Sequence, residues 1–171
     1  MFSNKIRISS RKFKHEKNFN KAQLFFLKKN WDSTLVYTMK QLSVDNKNTE
    51  LNNYCNFFRG ICFQEKRIFI EAKNSFNKIS EKFEYYKSVK NNLGQIALEQ
   101  NEFEKAIEYF KEFENFTETN CFNIDKGKVN HNLGICYLHL ENYDKAEFYL
   151  LKSTKIQEKE KDTLMLIGAY G

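Results

Sequence analysis

The side chains able to carry nucleophilic or metal chemistry are few: Cys55, Cys62, Cys121 and Cys136, with His15, His131 and His139. A thiol nucleophile needs a base within hydrogen-bond reach, and a zinc site needs ligands clustered at short spacing. No two cysteines form a CxxC pair, and no cysteine and histidine stand together with enough further ligands to hold a metal. His131 and His139 stand eight residues apart, two turns along one helix face, too far to share a metal. His15, in a basic segment, reads as solvated. A glycine-rich phosphate loop, GxSxG and HExxH are all missing. Glu99, Glu102 and Glu104 fall in a charged helical run and read as a solvated face. Asn115-Phe116-Thr117 matches a glycosylation acceptor but falls within a predicted helix and is read as accidental. The residues therefore point to recognition and not to catalysis, with no metal and no cofactor expected.

Bulk properties agree with a globular chain of one ordinary domain: 171 residues, 41% apolar and 29% charged. Proline is absent while phenylalanine occurs 17 times and tyrosine nine. Without proline, helices can run long, since nothing removes a backbone donor or clashes with the preceding turn. Cys62 and Cys136 lie in apolar helical stretches, where a free cysteine behaves as a small hydrophobe. Reduced thiols in a reducing compartment, and hence a cytoplasmic location, are the expectation. Met1 to Lys17 shows no apolar run of signal-peptide type, and no stretch reaches the length needed to span a bilayer.

The elements that position these residues come in repeats. FFRGICFQEKRIFIEAKNSFNKI (Phe57 to Ile79), NNLGQIALEQNEFEKAIEYFKEF (Asn91 to Phe113) and HNLGICYLHLENYDKAEFYLLKS (His131 to Ser153) superimpose. Gly60, Gly94 and Gly134 align, and twelve residues later Ala72, Ala106 and Ala146 do so. An aromatic precedes each alanine by three residues (Phe69, Phe103, Tyr143), and Phe76, Phe110 or Leu150 follows by four. The glycines are 34 and then 40 residues apart. Apolar residues at three- and four-residue spacing make one buried stripe on each of two helices. The small residues let those helices approach closely, and polar turns such as Gln100-Asn101-Glu102 are too short for anything but an antiparallel neighbour. A weaker copy, Asn20 to Leu42, places Ala22 near the glycine position and Thr34 or Leu35 near the alanine position, its phase open by one residue.

This pattern resembles the tetratricopeptide repeat family, with Asn132 to Leu150 close to it throughout; Arg59 and Ala97 depart from the usual residues. The resemblance implies an all-α fold, a right-handed α-solenoid of antiparallel helix pairs. The expected organisation is a basic N-terminal arm at 1–14, a divergent first repeat at 15–48, and repeats at 53–86, 87–126 and 127–160. The middle one has a second helix running from Phe103 to about Thr119. Residues 161–171, with the run TLMLIGAYG, look like the truncated start of a further repeat, so the native chain is expected to continue past Gly171.

In this family the first helices line the concave, ligand-facing side. Position by position, that implies contacts at Tyr54, Phe57, Ile61 and Gln64 in the first strong copy. In the next they are Ser88, Asn91, Gln95 and Leu98, and in the last Lys128, His131, Ile135 and His139. Tyr54 and Phe57 would be apolar anchors, and Asn91 and Gln95 would bond a peptide backbone. The alternative for the aromatic pair is packing against the preceding repeat. Phe57 and Ile61 stand where some members carry the Lys and Asn of a carboxylate clamp, which argues against one here.

The implied function is a protein-interaction module holding a partner peptide or helix on the concave face, with a protein or peptide as ligand. A rival reading is the sensory or regulatory portion of a longer bacterial signalling protein, with a kinase or DNA-binding module downstream. A third is nucleic-acid or acidic-surface binding by the N-terminus, where residues 1–48 carry eleven Lys/Arg against three acidic residues. That +8 leaves −2 for the remainder of a chain whose total is +6. Aromatics do not alternate with the charges as a single-strand platform requires, so the arm reads as solvated. The repeat alignment itself is testable: Ala106→Leu should overpack the helix crossing and cost about 1–3 kcal/mol in denaturant unfolding. Unchanged stability would mean that the copies are misaligned.

Overall fold

The structure, a computed structural model, describes residues 13–44, 47–115 and 123–169. Within them run α1 (Lys17–Leu27), α2 (Trp31–Val44), α3 (Thr49–Glu65), α4 (Phe69–Phe76), α5 (Tyr86–Glu99), α6 (Phe103–Asn115), α7 (Asn123–His139) and α8 (Tyr143–Ala169), with no strand among the described residues. The chain divides into two units, Met1–Tyr86 and Lys87–Gly171. Most of the basic arm, Cys121, the Phe116-Thr117 part of the glycosylation match and the stretch from Phe116 to Thr119 lie outside the described residues.

One turn geometry joins every helix pair. Lys29, Arg67, Asn101 and Glu141 sit at φ of 56°, 59°, 59° and 56°, each in the left-handed region just past a first helix. Each turn closes with the same two bonds. Asn101 N donates to Leu98 O at 3.0 Å and Glu102 N to Ala97 O at 2.8 Å, as Glu141 N does to Leu138 O at 3.0 Å and Asn142 N to Tyr137 O at 2.9 Å. These bonds satisfy carbonyls that a helix C-terminus otherwise leaves open. The next helix starts at once: Asn30 and Asn142 side chains accept from Ser33 N and Lys145 N at 3.1 and 3.3 Å, capping α2 and α8. Asn48 caps α3 in the same way, its side chain accepting from Leu51 N at 3.0 Å.

The shared turn also sets the phase of the divergent first copy. Lys29 stands seven residues after Ala22, as Asn101 stands after Gly94, so Ala22 takes the glycine position and Thr34 the alanine position. Thr34 and Thr38 are fully buried there. Thr38 Oγ1 donates back to Thr34 O at 2.9 Å, so its hydroxyl is satisfied inside its own helix. Gln41, also buried, accepts from Phe19 N at 3.1 Å and donates to Glu16 at 2.8 Å.

In the three strong copies the helix pairs meet at the glycines. A Cβ at Gly60 would lie 2.4 Å from the Phe76 ring, one at Gly94 2.6 Å from the Phe110 ring, and one at Gly134 2.6 Å from Leu150. The first unit packs Phe19, Leu51, Tyr54, Phe57, Phe58 and Phe76 into an aromatic core, with Phe26 and Phe58 stacked at 4.5 Å between centroids. The second unit gathers Ala97, Ala106, Ile107, Phe110, Phe113, Val129, Leu133, Cys136, Tyr137 and Ala146.

The far end differs from the sequence expectation of a new helix opening near Asp162: α8 continues from Tyr143 to Ala169 without a break. The physical reason is composition, since Lys152 to Asp162 is rich in helix-compatible Lys, Glu and Gln and holds neither Gly nor Pro.

The crossing geometry predicts unequal glycine sensitivities. Alanine gains roughly 0.5–1 kcal/mol over glycine in a helix interior, but at Gly94 it meets a fully buried ring that cannot turn aside. Gly94→Ala is therefore expected to destabilise by about 1–2 kcal/mol net. Gly134→Ala should cost less, because the half-buried Leu150 can change rotamer, which leaves only the Ala146 carbonyl at 3.3 Å as a fixed close neighbour. Equal effects in chemical denaturation would contradict the crossing described.

Candidate functional site

In the second unit, α5 buries Val89, Leu93, Ile96 and Ala97, and α7 buries Val129, Leu133, Cys136 and Tyr137. Helical periodicity then turns the intervening residues outward on both helices. The result is a groove of about 440 Å³ lined by Gln95, Leu98 and Glu99 from α5, Lys128, His131 and Asn132 from α7, and Gln157 from α8. Its lining is amide-rich, with Leu98 as the apolar element and Glu99 and Lys128 as opposite charges. Glu99, Lys128 and His131 are exposed and Gln95, Leu98 and Asn132 are half-buried, so the groove is open to a ligand along its length. Three carboxamides supply both donors and acceptors, the pattern needed to pair with an extended backbone.

Four residues expected from sequence, Gln95, Leu98, Lys128 and His131, are thus brought to one groove. Ser88 and Asn91 are half-buried on α5 and do not line it; the Ser88 carbonyl accepts from Asn92 Nδ2 at 2.8 Å. Ile135 is half-buried on α7, outside the groove. His139 stacks on Phe103 at 4.4 Å between ring centroids, which turns it toward the helix turn. Ile61 and Gln64 are half-buried on α3 in the other unit.

Tyr54 and Phe57 correct the expectation of apolar anchors. They are 3% and 1% exposed, so neither can receive a ligand in this structure. The segment after α4 folds onto them: Phe83 packs edge-on against Tyr54 at 5.0 Å, and Tyr85 stacks on Phe57 at 5.7 Å. The Tyr54 hydroxyl donates to the Glu84 carboxylate. Burial first, then that bond and the Glu84 charge, holds the phenol well above its ordinary pKa.

Gln157 was not among the expected residues. It reaches the groove because α8 runs on past Ser153, whose hydroxyl donates to Gly127 O at 2.8 Å. A Cβ on Gly127 would lie 3.5 Å from Gln157 Cγ. The unbroken helix-forming run after Leu151, and a glycine facing it in α7, are the sequence signals for this contact.

Burial pushes the thiols of Cys55 and Cys62 up to about 12 and that of Cys136 to about 11, so all three stay protonated at neutral pH. Among the described residues no group of three or more His, Cys, Asp or Glu side chains is placed to hold a metal, and no helix is long and apolar enough to cross a membrane.

The sequence model of the tetratricopeptide repeat matches residues 88–115 and 127–160. No curated protein matches the chain. Among solved structures, BtubC (BKLC) from P. vanneervenii superposes with a TM-score of 0.67 at 18% identity, covering 82% of this chain and 61% of that one. The chain thus spans under two thirds of BtubC. MamA (MSR-1 C2) gives a TM-score of 0.62 at 16% identity over 80% of this chain and 72% of that one. A second MamA structure gives 0.56 at 15% identity over 82% and 96%. At such identities the likeness carries the fold, an all-α solenoid of antiparallel helix pairs.

Burial of the Phe57 ring has a measurable consequence. Phe57→Ala should cost about 3–5 kcal/mol of stability, as for any large ring removed from a packed core. A variant with parental stability would place the ring outside the core.

Proposed function

We propose that this chain, which carries tetratricopeptide repeats, is a protein-interaction module that holds an extended peptide segment in the groove between α5 and α7. The observation behind this reading is the convergence of Gln95 and Leu98 with Lys128 and His131, from two copies of the repeat, on one open groove. An extended peptide presents alternating N–H and C=O groups, and Gln95, Asn132 and Gln157 offer partners for both. Leu98 takes one apolar side chain, while Glu99 and Lys128 set direction by favouring opposite charges at the two ends of the bound stretch. Burial of Tyr54 and Phe57 confines this reading to the second unit.

The test uses a displayed library of random linear peptides, selected on the full chain. The best peptide is then titrated calorimetrically into the parent and into Gln95→Ala/His131→Ala. Each lost hydrogen bond is worth about 0.5–1.5 kcal/mol, so the double variant should bind roughly tenfold more weakly or worse. Neither side chain is in the core, so the melting temperature should hold. Equal affinity of parent and variant would place the binding surface elsewhere.

A further inference from the structure

The outward face of α8 departs from its counterparts in the other two strong copies, α4 and α6. Aligning the copies on Ala72, Ala106 and Ala146 sets Phe148 against Asn74 and Glu108, and Leu151 against Asn77 and Lys111. All six positions are exposed, and in the other two copies they carry polar residues, as a solvated face should. In α8 they carry Phe148 at 59% and Leu151 at 52% exposure. Asp144, Phe148, Leu151 and Lys155 follow at steps of four, three and four residues, which places them on one stripe, all exposed. The stripe is an apolar centre with an acid at one end and a base at the other.

We infer that this stripe joins two copies of the chain, α8 against α8, antiparallel about a two-fold axis midway between Phe148 and Leu151. Under that axis, residues equidistant from the midpoint face each other. Phe148 meets Leu151 of the second copy, and Asp144 meets Lys155 of the second copy. Symmetry repeats both contacts, as an isologous interface requires. The charge order selects this arrangement: a parallel, in-register pairing would set Asp144 on Asp144 and Lys155 on Lys155, which repel. A stripe that is its own complement fits a second copy of this chain better than an unrelated partner. In the first copy α2 also exposes Val36 and Met39 at the matching positions, but its stripe runs from Asp32, paired with Lys66, to Ser43 and lacks the base that closes a symmetric pair. Lys152 is committed to Glu114 within its own chain at 2.8 Å, so the polar part of the contact rests on Asp144 and Lys155. A contact of a few helical turns buries less than the roughly 1,200 Å² of small stable interfaces, so the pairing is weak and reversible.

Sedimentation equilibrium on the full chain, from about 5 to 500 μM, reads the association directly across that range. The parent is expected to pass from one chain to two. Phe148→Glu should weaken pairing at least about tenfold through a buried charge, and Asp144→Lys by a similar factor through like-charge repulsion. Asp144→Lys combined with Lys155→Asp should return the association constant to within about threefold of the parent, because it exchanges the charges across the same axis. Circular dichroism melting should show every variant folded, with Asp144→Lys and the charge exchange lowered by a few degrees at most because an acid leaves the first turn of α8. A single-chain mass over the whole range would overturn the inference. So would a dimer indifferent to Phe148→Glu, or a charge exchange that fails to restore what Asp144→Lys removes.

Discussion

The constraint on which each strong repeat depends is the approach of one helix to the bare backbone of its partner. At Gly60 and Gly94 a phenylalanine ring occupies the volume where any other residue would carry a Cβ. Dispersion between close-packed atoms is small per contact and large in sum, and it falls steeply with a gap of even half an ångström. Glycine at these positions gives up intrinsic helix stability in exchange for that contact. The alanines at 72, 106 and 146, nearly or fully buried, keep the second helices close on the same side.

Once two helices are locked at this distance, the turn and the faces follow. A single left-handed residue closes the connection, and the stripe that is buried dictates which residues must point away. Gln95, Leu98, Lys128 and His131 reach one groove because Leu93, Ile96, Leu133 and Cys136 are committed to the core. The groove is thus a by-product of packing, assembled from side chains that packing leaves over. That arrangement lets repeats vary their outward residues, and hence their ligands, without altering the fold.

Much of this was legible in the sequence because the packing residues recur at fixed spacing and are physically unusual: a glycine in a helix, an alanine, an aromatic. The first copy was harder to phase, because Thr34 and Thr38 occupy the alanine and phenylalanine positions and their burial depends on hydroxyl bonds that no periodicity announces. Tyr54 and Phe57 misled for a different reason. Their positions match ligand-facing ones in a typical repeat, but the segment after α4 brings Phe83 and Tyr85 over them. Nothing in α3 alone reveals that cover, although an aromatic-rich link between helices hints at it. Gln157 does not stand out in the pattern because the ligand-facing positions of the repeat lie on first helices, whereas Gln157 sits on a second helix, α8.

Histidine labelling tests the central claim most directly, because His15, His131 and His139 are the only histidines in the chain and just one of them lines the groove. Diethyl pyrocarbonate modification would be followed by mass spectrometry, with and without a saturating peptide selected on this chain. Labelling of exposed His131 should fall in the complex while that of His15 stays constant. If His131 reacts equally in the free and the bound protein, the groove between α5 and α7 is not where the peptide sits.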